Sequence, residues 1–275
     1  MSNQIITINS LSGGKTSSYM AANFVADYNV FAIVTIEDHN CKPKDSQLIK
    51  KISEKINREF IASAEDDLTL YAVFELEQKI GKEIVWVAGD TFEKVNKRIT
   101  NNKGLPNMMW RYCTTELKMR PIFDWWFQNI GHKAQMNIGI RYDEMERAEK
   151  IKNNFKGIVG KRGTRNKWQE IEWREAKFPL IENKIIHTKV IEWAKKSNIN
   201  FPNDSNCVGC FHKSINQLRK NWDDNQLKMQ WFANQESENK RWKKEMTYQQ
   251  ILNIGLQMDF DFGGGAGCNA GFCTD

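Results

Sequence analysis

A short glycine-rich run near the start of the chain carries residue types suited to binding a phosphate group. It reads Ser12-Gly13-Gly14-Lys15-Thr16-Ser17. Adjacent glycines let the backbone approach a ligand closely, and free N–H groups at the start of a following helix favour an anion. Lys15 and the hydroxyl groups add further donors. The run is not the G-x-x-x-x-G-K-[ST] loop of P-loop NTPases, because Asn9 stands where that motif needs its first glycine.

The cysteines form two close pairs late in the chain. Two residues separate Cys207 from Cys210, and four separate Cys268 from Cys273. A C-x2-C pair directs two sulfur atoms toward one ion, which suits tetrahedral zinc or an iron–sulfur cluster. We therefore expect these four thiolates to converge on one metal, zinc in the first instance, with His212 as a reserve ligand.

These groups need strands and helices to position them. Apolar and β-branched runs predict strands at residues 5–8, 30–36, 69–76, 84–88 and 135–140. Apolar residues at helical spacing predict helices at residues 18–27, 46–58, 91–99, 116–130 and 186–196. Strands that alternate with helices predict an α/β fold with a mostly parallel sheet and flanking helices.

The second half of the chain has a different character. Residues 141–167 are highly charged and contain three glycines, and we expect a mobile basic loop beside the site. Residues 217–257 are largely helical in pattern, and the glycine-rich run 263–267 reads as a flexible hinge. We divide the chain into a phosphate-binding domain, residues 1–200, and a helical C-terminal region, residues 201–275, that carries a cysteine-rich metal or redox tail.

Four further stretches give these features a family resemblance. They are R-Y-C-T-T-E-L-K at 111–118 with Pro121, G-I-R-Y-D-E-M-E-R at 139–147, Phe178-Pro179-Leu180 with Val190 and Trp193, and Cys207-Val208-Gly209-Cys210. The S-G-G-K-x-S loop itself resembles the PP-loop of the adenine nucleotide α-hydrolase-like superfamily. Taken in order over residues 4–213, the five segments resemble the 3′-phosphoadenosine 5′-phosphosulfate (PAPS) reductase family.

The resemblance implies a Rossmann-like sheet that binds an adenine nucleotide, ATP or PAPS, across its C-terminal edge, in agreement with the general behaviour of open α/β sheets. Mg²⁺ is a further candidate ligand. Arg141 is expected to be a second anchor on the anion, with Asp143 or Glu144 orienting it or a metal. The expected nucleotide-binding residues are Ser12, Gly13, Gly14, Lys15, Thr16, Ser17, Lys118, Gly139, Arg141 and Arg147. The family's usual Asp after the lysine is Thr16 in this chain.

The resemblance also gives the cysteines possible roles. Assimilatory members attack the sulfate sulfur with a cysteine on a mobile C-terminal tail, and Cys273 behind the glycine-rich hinge resembles that arrangement, without the family's Glu-Cys-Gly motif. Iron–sulfur members use a cysteine pair near Cys113, but here residue 112 is Tyr, which leaves Cys113, Cys207 and Cys210 as a three-thiolate set. The catalytic candidates are Lys15, Cys113 and Cys273. A Cys273 that holds zinc is not available as a nucleophile, so these alternatives exclude each other.

Three functions stay open at this point. In the first, a thiolate attacks the sulfur of a phosphosulfate, or transfers sulfur, and releases the nucleotide. In the second, ATP adenylates a nucleic acid or small molecule and pyrophosphate leaves; the retained Lys15 favours this chemistry. In the third, the chain is a non-catalytic, metal-stapled nucleotide-binding module, which would account for Thr16.

Composition sets the remaining limits. The 275 residues are 40% hydrophobic and 27% charged, which excludes a fibrous or wholly disordered protein. Forty Lys and Arg against 34 Asp and Glu give a formal charge of +6, which is compatible with phosphate-bearing ligands as well as with a solvated surface. No apolar run reaches about 18 residues and no signal peptide is evident, so we expect a cytoplasmic protein without membrane contact. The partners implied are an adenine nucleotide, and a thiol reductant or a nucleic-acid substrate; a homo-oligomer is left open.

Overall fold

A parallel five-stranded sheet forms the centre of the molecule. The computed structural model describes residues 5–255. The sheet has the strand order β5-β2-β1-β6-β9, and all four neighbouring pairs are parallel. Its strands are β1 (Thr7–Leu11), β2 (Tyr28–Ala32), β5 (Ile84–Val87), β6 (Ala134–Ile138) and β9 (Arg174–Lys177). Two small antiparallel pairs accompany it: β3 (Thr35–Ile36) with β4 (Ala62–Ser63), and β7 (Asn154–Arg162) with β8 (Arg165–Glu172). The predicted α/β architecture is confirmed.

Helices cover both faces of this sheet. They are α1 (Lys15–Asn23), α2 (Ser46–Lys55), α3 (Asp67–Ile80), α4 (Phe92–Thr100), α5 (Tyr112–Thr114), α6 (Arg120–Asn129), α7 (Pro179–Glu182), α8 (His187–Lys196), α9 (Ile215–Asp224), α10 (Gln226–Asn234) and α11 (Tyr248–Leu252). A π-helical turn, Thr115–Met119, joins α5 to α6. Short 3-10 segments occupy His39–Cys41 and Tyr142–Lys150. Among residues 5–255, no helix combines the length and the apolar character that a membrane crossing requires.

Alternation along the strands separates two core layers. In β2, Phe31 packs with α1, α2, α3 and α8, whereas Val30 and Ala32 pack with α6 and the base of the β7–β8 hairpin. Successive strand residues point to opposite faces, so one buried strand serves both layers. Apolar runs such as Val30–Ala32 are typical of parallel strands covered on both sides.

A third apolar cluster joins the sheet edge to the C-terminal helices. Val34 and Ala64 from the edge pack together with Trp222, Trp231 and Tyr248 of α9, α10 and α11. The backbone N–H of Val208 donates to the Ala64 carbonyl at 2.8 Å. These contacts fix the segment that carries Cys207 and Cys210 against the strands.

The strand predicted at residues 69–76 is wrong, because these residues lie within helix α3. The side chain of Asp66 accepts a hydrogen bond from the Leu68 backbone N–H and so caps the helix at its start. The buried positions in α3 recur at helical spacing, at Thr69, Leu70, Ala72, Val73 and Leu76. Gly81 ends the helix in the left-handed conformation, at φ +60°.

The loop expected at residues 141–167 is likewise wrong for most of its length. A 3-10 segment, Tyr142–Lys150, is followed by a regular antiparallel hairpin of β7 and β8 that turns at Gly163, where φ is +61°. Toward its tip the hairpin contains few apolar residues and both of its faces lie in solvent, so it lacks the alternation by which strands are recognised.

A row of asparagine side chains fixes the register of the three central strands. Asn9 on β1 lies opposite Asn29 on β2 and Asn137 on β6. The Asn9 amide donates to Asn29 Oδ1 at 2.9 Å, and Asn137 donates to Asn9 Oδ1 at 2.9 Å. Asn9 is fully buried, so a shift of one strand would leave these amides unpaired in an apolar layer.

Asn9→Ala should lower the free energy of unfolding by about 2–3 kcal/mol, because it leaves polar atoms of Asn29 and Asn137 buried without partners. Chemical denaturation measures the loss. Asn200→Ala, at an exposed loop position, is the matched control and should cost less than about 0.5 kcal/mol. Equal losses in the two variants would contradict the role of the asparagine row.

Candidate functional site

The glycine-rich run lies between β1 and α1 and is tightly folded on itself. The Ser12 backbone N–H donates to Ser17 Oγ at 3.2 Å, and Ser17 Oγ donates to the Gly14 carbonyl at 3.1 Å. Gly13 has a φ of +76°, and a β-carbon there would stand 2.5 Å from a methyl of Thr69. Only glycine fits this turn.

The start of α1 presents unpaired backbone donors. Gly14 is its N-cap residue and supplies no side-chain hydrogen bond to the first turn. The first N–H groups of a helix lack intrahelical partners and carry a partial positive charge. Gly139, which follows β6, packs closely here, since a β-carbon on it would lie 3.2 Å from Ser17 Cα. The two strand ends therefore form one crevice at the carboxyl edge of the sheet, where open α/β sheets bind ligands.

Arg141 is buried, 8% exposed, and points at this crevice. Its Nη1 donates to Thr16 Oγ1 at 3.1 Å, and the guanidinium pairs with Asp143 at 3.2 Å and Glu144 at 3.0 Å. The expectation that Arg141 stands beside the glycine loop, with Asp143 and Glu144 orienting it, agrees with this geometry. Arg147 lies one step further out, where it pairs with Glu144 at 2.9 Å.

The fold adds His187 to this network, a residue that the sequence analysis does not single out. It begins helix α8, and its backbone N–H donates to Asp143 Oδ1 at 3.2 Å. Its Nδ1 is buried and has no hydrogen-bond partner among the described residues. Burial and the charge of Arg141 lower the pKa of His187, so the ring is neutral at pH 7. A neutral imidazole can donate or accept one hydrogen bond. No pattern in the sequence joins residue 187 to residue 141; only the packing of α8 does.

Lys15 turns away from the crevice toward a segment much later in the chain. Its Nζ donates to the carbonyls of Pro202 at 2.8 Å and Asn203 at 3.3 Å. Burial lowers the pKa of Lys15, and the nearby Asp204 carboxylate opposes that shift. A β-carbon on Gly14 would lie 2.3 Å from Ser205 Oγ, so the same segment packs directly on the loop.

The three cysteines of the alternative three-thiolate set line a single cavity. Cys113 comes from α5, and Cys207 and Cys210 come from the turn that follows the segment held by Lys15. The cavity has a volume of about 60 Å³, enough for a metal ion or a few water molecules. Its wall also includes Lys118, His212 and aromatic residues of the C-terminal helices, Trp231, Phe232 and Trp242.

Lys118 and Glu65 place a buried ion pair beside the thiols. Lys118 Nζ lies 3.6 Å from Glu65 Oε1, and Glu65 is 1% exposed. Burial lowers the pKa of Lys118, but the Cys207 sulfur, once ionised, and the Glu65 carboxylate raise it, and the net shift is upward. Lys118, expected to contact the nucleotide, is thus a cation of the thiol cavity.

Burial keeps the three thiols protonated in the free protein. It raises the pKa of Cys113 to about 11, and the neighbouring Cys210 sulfur also raises it. Burial also raises the pKa of Cys207 and of Cys210. Two groups act in the opposite direction: the His212 backbone N–H donates to the Cys210 sulfur, and the charge of Lys118 lowers the pKa of all three thiols. These two groups would stabilise the thiolates once a metal or a reactant removes the protons.

The two halves of the site are close together. Ser205 touches Gly14, and Cys207 follows two residues later. Two residues of extended chain span about 7 Å, so Cys207 lies within that distance of the residue that packs on the loop.

The side chains that line this cavity are of the chemical types that bind soft metals. Thiolates bind zinc and iron–sulfur clusters, and both ring nitrogens of His212 are buried without hydrogen-bond partners among residues 5–255. As placed, no three His, Cys, Asp or Glu side chains of that range are arranged to hold a metal ion. Cys268 and Cys273 lie outside the described residues.

No protein-family model, curated protein or solved structure matches this chain.

Glu65→Gln should lower the free energy of unfolding by about 1–3 kcal/mol, because it leaves the largely buried Lys118 ammonium without its carboxylate. The double variant Glu65→Gln, Lys118→Met should recover part of that loss, since neither charge then remains. Denaturant titrations of the metal-free protein measure both values.

Glu54→Gln is the matched control, an exposed carboxylate that forms no ion pair within the described residues. It should change stability by less than about 0.5 kcal/mol. If the double variant is less stable than Glu65→Gln alone, the ion pair is not what holds Lys118 in the cavity.

Proposed function

We propose that this chain is an adenine-nucleotide enzyme of the PAPS reductase type that carries out sulfur chemistry at the carboxyl edge of its sheet. Residues 12–17 and Arg141 bind the phosphate or phosphosulfate end of the nucleotide. The cavity of Cys113, Cys207 and Cys210 supplies the thiol groups. The single observation that carries this proposal is the contact of Ser205 with Gly14, which brings the thiol segment onto the anion loop.

Hydrogen-bond donors converge on the place where the anion would lie, with Asp143 and Glu144 holding the Arg141 guanidinium. The N-terminus of α1 and the Arg141 guanidinium approach it from two strand ends. A guanidinium forms bidentate hydrogen bonds with phosphate or sulfate oxygens. Thr16, at the position of the family's aspartate, accepts a hydrogen bond from Arg141 without adding negative charge there.

In the first chemistry, a thiolate attacks the sulfur of a phosphosulfate. A sulfur–sulfur bond forms, and the bond from sulfur to the bridging phosphate oxygen breaks, so the nucleotide leaves with that oxygen. A second thiol then attacks the cysteine sulfur, which releases sulfite and leaves a disulfide. An external dithiol must reduce that disulfide in each cycle. Three thiols around one cavity provide both the attacking and the resolving group.

The thiols have a second use that competes with the first. Drawn closer together than their present positions, Cys113, Cys207 and Cys210 would hold zinc or an iron–sulfur cluster, with His212 or Cys268 as the fourth ligand. A bound metal would deprotonate these thiols and fix the segment 207–210 against α5. In that case the nucleophile is Cys273, as the resemblance implies.

ATP-dependent adenylation is the second candidate, and the retention of Lys15 at the start of α1 favours it. The Lys15 ammonium bonds the carbonyls of Pro202 and Asn203, and a triphosphate that extends past the first phosphate would exchange those bonds for charge-assisted bonds to its own oxygens. ATP would transfer its adenylyl group to a substrate oxygen, and pyrophosphate would leave.

Lys15→Ala should weaken adenine nucleotide binding by about 1.5–3 kcal/mol, the scale of a charge-assisted hydrogen bond. Isothermal titration calorimetry with ATP and with PAPS measures the change. Lys79→Ala, an exposed lysine of α3, is the control and should leave affinity unchanged. Unaltered affinity of Lys15→Ala for every adenine nucleotide that binds the parent would contradict the proposed anion site.

Product analysis separates the chemistries. Protein purified without oxygen is incubated with PAPS and a dithiol, or with ATP, and sulfite, AMP and pyrophosphate are followed. Sulfite formation that is lost in Cys273→Ser or Cys113→Ser supports the thiolate route and identifies the nucleophile. Pyrophosphate release from ATP supports adenylation. Nucleotide binding with no product under either condition would favour a non-catalytic module.

A further inference from the structure

The β7–β8 hairpin is an arm whose base is firmly packed. Phe155 packs on Phe123 of α6 with the rings tilted by 39° and their centroids 4.9 Å apart, and a β-carbon on Gly157 would lie 2.1 Å from the Phe123 ring. The Arg120 guanidinium lies 5.3 Å from the Phe155 ring and 5.0 Å from the Trp168 ring. These contacts fix the lower half of the hairpin to α6.

The direction of the arm follows from its contacts. At its base, Glu172 pairs with Lys133, which precedes β6 at the amino edge of the sheet. Higher up, Trp168 reaches Arg120 at the start of α6, and α6 runs antiparallel to β6, so Arg120 lies toward the carboxyl edge. Four further residues lead from Ile158, the partner of Trp168, to the tip at Arg162, about 13 Å of strand. The tip therefore projects past α6 on the side of the candidate site.

The tip carries a dense positive charge. Residues 160–170 are all exposed, and no Asp or Glu occurs from 151 to 169. Arg162 and Arg165 are directly opposite each other in the ladder. Like charges in that position destabilise a strand pair. Within the described residues no ion pair offsets the four tip cations, Lys161, Arg162, Arg165 and Lys167.

An anion held between the two arginines would relieve this repulsion. Guanidinium groups favour phosphate, which they bind in bidentate geometry. Trp168 is 43% exposed and stands on the strand just behind the cations. Cations beside an exposed aromatic ring are the combination that binds a polynucleotide, through phosphates and a stacked base.

We propose that the tip of the β7–β8 hairpin binds a nucleic-acid strand and directs it across the carboxyl edge of the sheet. Arg162 and Arg165 contact backbone phosphates, and Trp168 stacks on a base. The inference rests on the proposed function only where it makes this strand a substrate; the binding itself requires neither the nucleotide nor the thiols.

The test measures fluorescence anisotropy of labelled 20-nucleotide probes: single-stranded DNA, single-stranded RNA and duplex DNA. The variant Lys161→Ala, Arg162→Ala, Arg165→Ala, Lys167→Ala should bind at least tenfold more weakly. The slope of log affinity against log salt concentration should be smaller in magnitude by about two to four, because the variant neutralises fewer phosphates. The matched control replaces exposed lysines on the opposite face of the sheet with alanine, at Lys50, Lys79, Lys195 and Lys196, and should bind like the parent.

The variant Arg162→Glu distinguishes loss of phosphate contacts from unfolding of the hairpin. It creates an opposite-charge pair with Arg165, so the hairpin should be at least as stable, yet binding should fall as in the alanine variant. The proposal is overturned if the tip variant and the control variant lose the same amount of probe affinity. It is also overturned if the tip variant binds anionic phospholipid vesicles more weakly than the parent but binds all three probes equally well. Whichever probe binds most tightly identifies the kind of strand. Lys15→Ala should lose nucleotide affinity and keep polynucleotide affinity, which distinguishes failure of this inference from failure of the proposed function.

Discussion

The contact between the glycine loop and residues 201–207 is the constraint on which the candidate site depends. Lys15 holds two backbone carbonyls of that segment, and Gly14 has no room for a side chain because Ser205 lies against it. The hydrogen bond from Val208 to Ala64 holds the same segment to the strands. Together these contacts make neighbours of the proposed anion site at the parallel strands and the thiol cavity under the C-terminal helices.

The charged groups fall into the same two parts, the glycine-loop crevice and the thiol cavity. The Arg141 guanidinium, which pairs with Asp143 and Glu144, meets the α1 terminus at the carboxyl edge of β1 and β6, where we propose that the anion binds. The thiol cavity places Lys118 beside Glu65 in an aromatic enclosure, where burial raises the pKa of Cys113.

Much of this arrangement could be predicted from the sequence, and the failures have physical causes. The parallel sheet followed from β-branched runs that alternate with helices, and the place of Arg141 followed from its position after a strand. Residues 69–76 were mistaken for a strand because an apolar run on a buried helix resembles one. His187 and the hairpin tip could not be assigned, since the first depends on how α8 packs and the second on like charges that only strand pairing brings together.

Thiol protection by nucleotide tests most directly whether the loop and the cavity form one site. The metal-free protein is treated with iodoacetamide, with and without saturating ATP or PAPS, and alkylation of Cys113, Cys207 and Cys210 is followed by mass spectrometry. The account predicts that nucleotide slows alkylation of all three together, and that Lys15→Ala abolishes the protection at a nucleotide concentration that protects the parent. Nucleotide that binds with full affinity and leaves all three alkylation rates unchanged would contradict it.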